Sequence, residues 1–220
     1  MNSDFDNKSY RTVLFECSGE ITEKKSRFIA TVVPVSSEEE AIEFIAEMKK
    51  KYWDARHNCS AYIIAGNGEN EKDIEKCSDD GEPSRTAGMP MLDILKAEGL
   101  KNVAAVVTRY FGGVLLGTGG LVRAYQGAMK AGLGAAHMAV CRLLNRCRIE
   151  TDYNGYGKLA FLTERDKMIT ENTVFTDNVT AIVLCDDMQY GKLASEMTEA
   201  TAGKCRIEII ERVYKNVPEQ

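Results

Sequence analysis

Three short stretches of this chain hold residue types that can do chemistry. The longest, TRYFGGVLLGTGGLVRAY from Thr108 to Tyr125, has five glycines in eighteen residues, two arginines and no acid. Glycine costs backbone entropy, so this crowding signals special backbone angles or a close approach. Gly117, Thr118, Gly119 and Gly120 lead into a helical pattern, and the free N–H groups of a helix start attract anions. Arg109 enters the stretch, Arg123 sits near the helix start, and arginine forks suit phosphate. Two familiar nucleotide motifs fail here. A GxGxxG fingerprint would need glycine where Val122 stands, and a Walker loop spaced on Gly112 and Gly117 would need lysine at Thr118.

The second stretch is SDDGEPSRTAGMP, from Ser78 to Pro90, with Asp79, Asp80 and Glu82 within four residues. Adjacent loop carboxylates can hold Mg²⁺ with water or phosphate completing the shell. They can equally cap the helix that follows or pair with Arg109 and Arg123. Ser84 and Thr86 lie in the same segment, which Pro83 and Pro90 stiffen. The third stretch is His57-Asn58-Cys59. Two residues apart on a strand, His57 and Cys59 face the same way. Cys59 opens an apolar run, which favours a core thiol over a nucleophile. With no GxSxG and no HExxH, hydrolase chemistry has no positive support.

The elements that must position these residues follow from periodicity. Arg11–Cys17 and Lys25–Val35 read as strands, with a turn near Gly19-Glu20. Ser37 and Glu40 form a capping box ahead of a helix with a stripe of Ile42, Ile45 and Met48. Cys59–Ala65 reads as a strand and residues 66–88 as one long polar loop. A helix over Met89–Glu98, a buried strand over Asn102–Thr108 and a helix from Gly119 to near Ala136 follow. On the last helix Leu121, Tyr125, Met129 and Leu133 share one face, while Arg123, Gly127 and Lys130 share another. Beyond it the order is strand 142–151, helix 157–165, strands 169–175 and 179–185, helix 190–201 and strand 206–214. That βαββαβ order is the split βαβ of a ferredoxin-like domain. The chain is therefore expected to be α+β, with one domain over 1–137 and a second over 138–220.

Composition narrows the class. A hydrophobic share of 44% beside 28% charged residues fits a globular protein, not a disordered one. The apolar runs are too short to span a bilayer. The first residues lack the apolar core of a secretory signal, so a cytoplasmic location without membrane contact is expected. Seven widely spaced cysteines suggest free thiols in a reducing compartment, and His57 and His137 offer little to a zinc site. Charge is uneven. Residues 1–98 carry net −7, residues 99–149 carry net +7 with no carboxylate, and residues 150–220 carry net −5. A basic surface is therefore expected on the glycine-rich region.

Taken together, KSRFIA (25–30), HNCSAY (57–62), SDDGEPS (78–84), TAGMP (86–90) and VVTRYFGGVLLGTGGLVRAY (106–125) resemble the YigZ/IMPACT family in order and spacing. One departure is Arg85, at a place where the family usually carries glycine. The resemblance implies an N-terminal α/β sandwich like the second domain of ribosomal protein S five, also seen in domain IV of elongation factor G. It also implies a ferredoxin-like C-terminal domain. Those relatives contact RNA on the ribosome, while eukaryotic IMPACT proteins restrain a translation kinase with the help of an extra N-terminal domain. Because this chain starts in the shared domain, that regulation is not expected to carry over.

Three functions follow as expectations. The first is a non-enzymatic, translation-related protein that binds RNA or the ribosome. Arg109, Arg123 and Lys130 would meet phosphates beside Gly112, Gly113, Gly117, Thr118, Gly119 and Gly120, and Tyr110 and Phe111 would stack on bases or fill the core. The second is a nucleotide-binding enzyme using the fold as small-molecule kinases of the GHMP type do, with Asp79, Asp80 or Glu82 holding Mg²⁺. The third is a protein-interaction module. No catalytic residue and no resident cofactor is assigned. His57, Asn58, Ser84 and Thr86 are motif residues without a role.

Overall fold

The structure, a computed structural model, describes residues 9–66 and 72–219. The start of the chain, read above for a leader, and residues 67–71 of the polar segment lie outside them. The chain forms two compact units. One comprises Tyr10–Cys141 and takes back the residues from Asn216 onward, and the other is Arg142–Lys215. The expected division before residue 138 falls at the start of a strand whose first four residues belong to the first unit.

The N-terminal unit carries a five-stranded antiparallel sheet of β2 (Cys17–Glu23), β3 (Ser26–Pro34), β4 (His57–Ile64), β5 (Ile74–Ser78) and β6 (Val103–Tyr110). Their order is β2-β3-β6-β4-β5. β1 (Tyr10–Val13) pairs instead with the first residues of β7 (Met138–Thr151), Tyr10 opposite Cys141. Helices α2 (Gly88–Ala97) and α3 (Thr118–Leu133) cover one face of the β2-β3-β6-β4-β5 sheet. Cys59, Ala61, Val103, Ala105 and Val107 share a core with Met91, Leu95, Tyr125 and Met129. Helix α1 (Glu38–Lys51) covers the other face, where Tyr62, Ile64 and Ala104 pack with Ala41. Burial on both faces explains why β6 reads as an unbroken apolar run.

Helix α1 has the expected cap, with the Glu40 amide donating to Ser37 Oγ at 3.3 Å. Its inward residues are Ala41 and Met48, with Phe44 and Ile45 partly buried, whereas Ile42 is exposed. The expected stripe is thus rotated by about one position. Helix α3 buries Leu121, Tyr125, Met129 and Leu133 as the pattern predicts, leaving Arg123 and Lys130 exposed.

Two sequence expectations give way. No turn forms at Gly19-Glu20, which lie inside β2. The chain reverses at Lys24 and Lys25, both at positive φ. Gly19 is there for packing, since a Cβ on it would lie 2.4 Å from the Ala131 carbonyl of α3. The long loop contains the edge strand β5, paired with β4 from Ser60↔Ser78 to Ile64↔Ile74.

The second unit holds most of β7, α4 (Tyr153–Arg165), β8 (Ile169–Phe175), β9 (Val179–Cys185), α5 (Asp187–Ala200) and most of β10 (Arg206–Pro218). β10 and β9 both pair with β7, and β8 pairs with β9. This is the strand order of a ferredoxin-like split βαβ. Its core joins Cys147, Ile149 and Val183 of the sheet to Leu159, Leu162, Leu193 and Met197 of the helices.

Candidate functional site

A cleft of about 360 Å³ opens in the N-terminal unit between the start of α3, the ends of β4 and β6, and the acidic turn. β6 delivers Arg109 and the following loop Phe111, Leu115 and Leu116, while β4 delivers His57. Glu82 and Pro83 come from the acidic turn, and Gly117, Thr118 and Leu121 come from α3. The floor is a buried polar network. Arg109 Nη1 donates to Glu82 Oε1 at 2.6 Å, and the Tyr125 hydroxyl donates to the same oxygen at 2.9 Å. Cys59 Sγ donates to the Tyr125 oxygen at 3.2 Å. The Arg109 and Glu82 side chains are only 6% and 3% exposed. Arg109 is also sandwiched between rings, its guanidinium carbon 5.3 Å from the centre of Phe28 and 5.5 Å from that of Phe111.

This network decides several roles. Arg109 is not a surface phosphate ligand, because a 27-residue excursion brings Glu82 back to neutralise it in the interior. Burial pushes the Cys59 thiol far above its ordinary range, so it is a neutral donor and not a thiolate nucleophile. Burial raises the Tyr125 hydroxyl likewise. His57 makes no bond to Cys59. Its Nδ1 lies 2.9 Å from the Asp80 carbonyl, which can only accept, so Nδ1 carries the proton and Nε2 faces Glu82 Oε1 at 3.9 Å.

The acidic residues are spent on the protein's own donors. Asp79 accepts from the amides of Arg85, Ala87 and Gly88 at 2.7, 3.0 and 2.8 Å, tying down the start of α2. Asp80 accepts from Lys49 Nζ at 2.6 Å and from the Asn58 amide at 2.7 Å. Burial would raise the Asp80 carboxyl, but Lys49 and the Asn58 amide outweigh it and hold it below its usual range. The sequence alternative of capping and pairing therefore describes these carboxylates. Among the described residues no group of three His, Cys, Asp or Glu side chains is arranged to hold a metal ion.

Of the motif residues of unassigned role, Asn58 and Thr86 hold the local backbone and strands together. Asn58 joins the Tyr52 carbonyl to Thr108 Oγ1, and Thr86 Oγ1 donates to the Pro83 carbonyl at 2.6 Å. Ser84 is exposed. Arg85 has φ of 64°. That is the left-handed region that favours glycine, which accounts for the family's usual residue there.

In the glycine stretch, a Cβ on Gly112 would lie 2.0 Å from the Lys25 backbone, so Gly112 serves close packing. Gly113 and Gly117 have φ of 82° and 72°. Tyr110 is tied through its hydroxyl to Asp54 at 2.9 Å, whereas Phe111 is exposed with Arg56 above its ring. Gly117 caps α3 without any side-chain hydrogen bond, and no acid occupies the first turn. Arg123 folds back over this start, its Nη1 3.6 Å from where a Gly119 Cβ would be.

The expected basic surface is mostly cancelled. Lys101 pairs with Asp73, Arg109 with Glu82, Arg146 with Glu171 and Glu211, and Arg148 with Glu208. Arg123, Lys130 and Arg142 make no ion pair among the described residues. Sequence reasoning missed Arg56, a cation beside His57 that has no carboxylate partner among the described residues. It also missed Lys24, which shares a smaller cleft with Arg123 and Gly120. Their only sequence signal was proximity to motif residues.

Two domain families match this arrangement. Residues 24–133 match the Impact N-terminal domain, and residues 149–204 match the Domain of unknown function (DUF1949). IMPACT family member YvyE of Bacillus subtilis is 42% identical over 206 residues, covering 94% of this chain and 93% of that protein. IMPACT family member YigZ of Escherichia coli is 46% identical over 110 residues, 50% of this chain and 53% of its own. A crystal structure titled as that of an hypothetical protein is similar at 30% identity and a TM-score of 0.57, covering 92% of this chain and 98% of its own. The fold and the motif-bearing cleft define a two-domain α+β protein of the IMPACT type. The chain belongs to the IMPACT family.

Proposed function

We propose that this protein is a non-enzymatic, cytoplasmic, translation-related regulator that binds RNA, on the ribosome or free, through the exposed start of α3. The observation that carries this reading is that start itself. Its amides lack a side-chain cap, its first turn is acid-free, and the Arg123 guanidinium lies over it. Unsatisfied helix N–H groups and an arginine fork both select phosphate oxygens. Arg56 adds positive charge at the rim, Lys24 and Glu23 line the neighbouring cleft with Arg123, and exposed Phe111 offers a ring for a base to stack on. Family membership supports the translational setting. No helix among the described residues is long and apolar enough to cross a membrane.

Fluorescence anisotropy with a labelled 5′-hydroxyl RNA oligomer at two salt concentrations tests this. Gly119→Asp is the diagnostic variant. The new side chain has room, its carboxylate suits the helix start, and it sits beside Arg123, so folding is preserved while phosphate is repelled. Wild type should bind with a salt slope of about 0.7 per phosphate contact, and the variant should lose about tenfold or more in affinity. Equal affinity of the two proteins would overturn the reading.

A further inference from the structure

The cleft holds features that backbone phosphate binding does not use. The Glu82 side chain is only 3% exposed. Its Oε1 takes both protein donors, Arg109 and Tyr125, while Oε2 receives none among the described residues. Beside it His57 Nε2 lies 3.9 Å from Glu82 Oε1, while Nδ1 is committed to the Asp80 carbonyl. Glu82 Oε2 thus meets the cleft without a protein donor and can accept from a ligand. Arg109 Nε is buried and has no partner among the described residues. The remaining wall is apolar, from Phe111, Leu115 and Leu121. At its rim lies the uncapped start of α3.

We infer that this cleft is a selective site for a 5′-phosphorylated nucleotide, either a free nucleoside monophosphate or the 5′ end of an RNA. The phosphate lies on the amides at the start of α3 with Arg56 beside it. The ring lies against Phe111 and Leu121. A sugar hydroxyl or base N–H supplies the donor that Glu82 Oε2 lacks. The volume suits one nucleotide, since small-ligand sites start at about 300 Å³. The inference rests on the reading of the α3 start as a phosphate site, and it adds the end-group and the donor requirement.

Isothermal titration calorimetry of the full chain with AMP, UMP, adenosine and inorganic phosphate tests it, with Gly119→Asp and Arg56→Ala alongside. A nucleoside monophosphate should bind at least about tenfold more tightly than phosphate or adenosine, and each variant should weaken it about tenfold. No preference over inorganic phosphate, or binding unchanged in both variants, overturns the inference. Matched RNA octamers with a 5′-phosphate or a 5′-hydroxyl identify the source. A 5′-phosphate octamer that outcompetes AMP points to an RNA end, and the reverse order points to a free nucleotide, each in support. Octamers that bind equally while no mononucleotide binds would sink this inference and leave general RNA binding standing. Mononucleotide binding without any binding of the 5′-hydroxyl octamer would do the opposite.

Discussion

The two units use the same chemistry at different depths. In the N-terminal unit Arg109 and Glu82 meet in the interior, joined by Tyr125 and Cys59. In the C-terminal unit Arg165 bridges Asp166 and Glu196, Lys192 joins Asp166, and Arg146 joins Glu171 and Glu211, all at the surface. Water already satisfies the surface ions, so their pairing contributes little. The buried ions have no such alternative. Each depends on its partner to offset a large desolvation cost, which makes their geometry specific and their loss expensive. A cleft floored by such a network keeps its shape.

Breaking the buried pair gives the largest expected effect. Glu82→Gln keeps the shape but leaves the Arg109 charge uncompensated, and should destabilise the N-terminal unit by about 3–5 kcal/mol. Native-state hydrogen exchange of the β3 and β6 amides would read this, with amides of β9 as an internal reference. A change under about 1 kcal/mol at β6 would contradict the depth argument.

The half-buried Asp80 should lie between the extremes. Its carboxyl is held below the usual range in the folded chain, so the unfolded chain binds the proton first as pH falls. Its contribution is therefore complete above about pH 4, the ordinary aspartate value, and is lost below it. Asp80→Asn should cost about 1 kcal/mol at about pH 6 and less at about pH 3, measured by urea titration. A cost that grows on acidification would refute the sign. At the shallow end, Arg165→Ala should move the urea midpoint least of the three, and high salt should erase most of that difference. A larger, salt-independent loss would mean that surface and interior do not differ as stated.

The helices and the central strands were legible because they bury one face or both, which imprints a period on the sequence. β8 and β9 fall where the alternation ends at turn residues. β5 was missed for the opposite reason. Ile74–Ser78 is an exposed edge strand, and its polar, irregular run carries no period. Gly19 misled because glycine serves two needs, tight reversal and close approach, and only the position of Ala131 across the core tells which. The site was half legible. Its motif residues do gather in one unit, but charge counted along the chain said little about charge on the surface. Glu82, Asp73 and Glu171 come from distant segments to cancel the cations of the basic stretch.

The pairing of Arg11 with Glu219 spans 208 residues, at 2.7 and 3.0 Å. It belongs to the N-terminal unit, as does the bond from the Glu219 amide to the Met138 carbonyl. This gives the unit a history in time. At ordinary synthesis rates Arg11 is added to the chain about 10–40 s before Glu219. For about the last 5–20 s of that interval, between Tyr125 and Glu219, a nascent chain holds every residue of the motif-bearing cleft on a unit whose last clasp is still unmade.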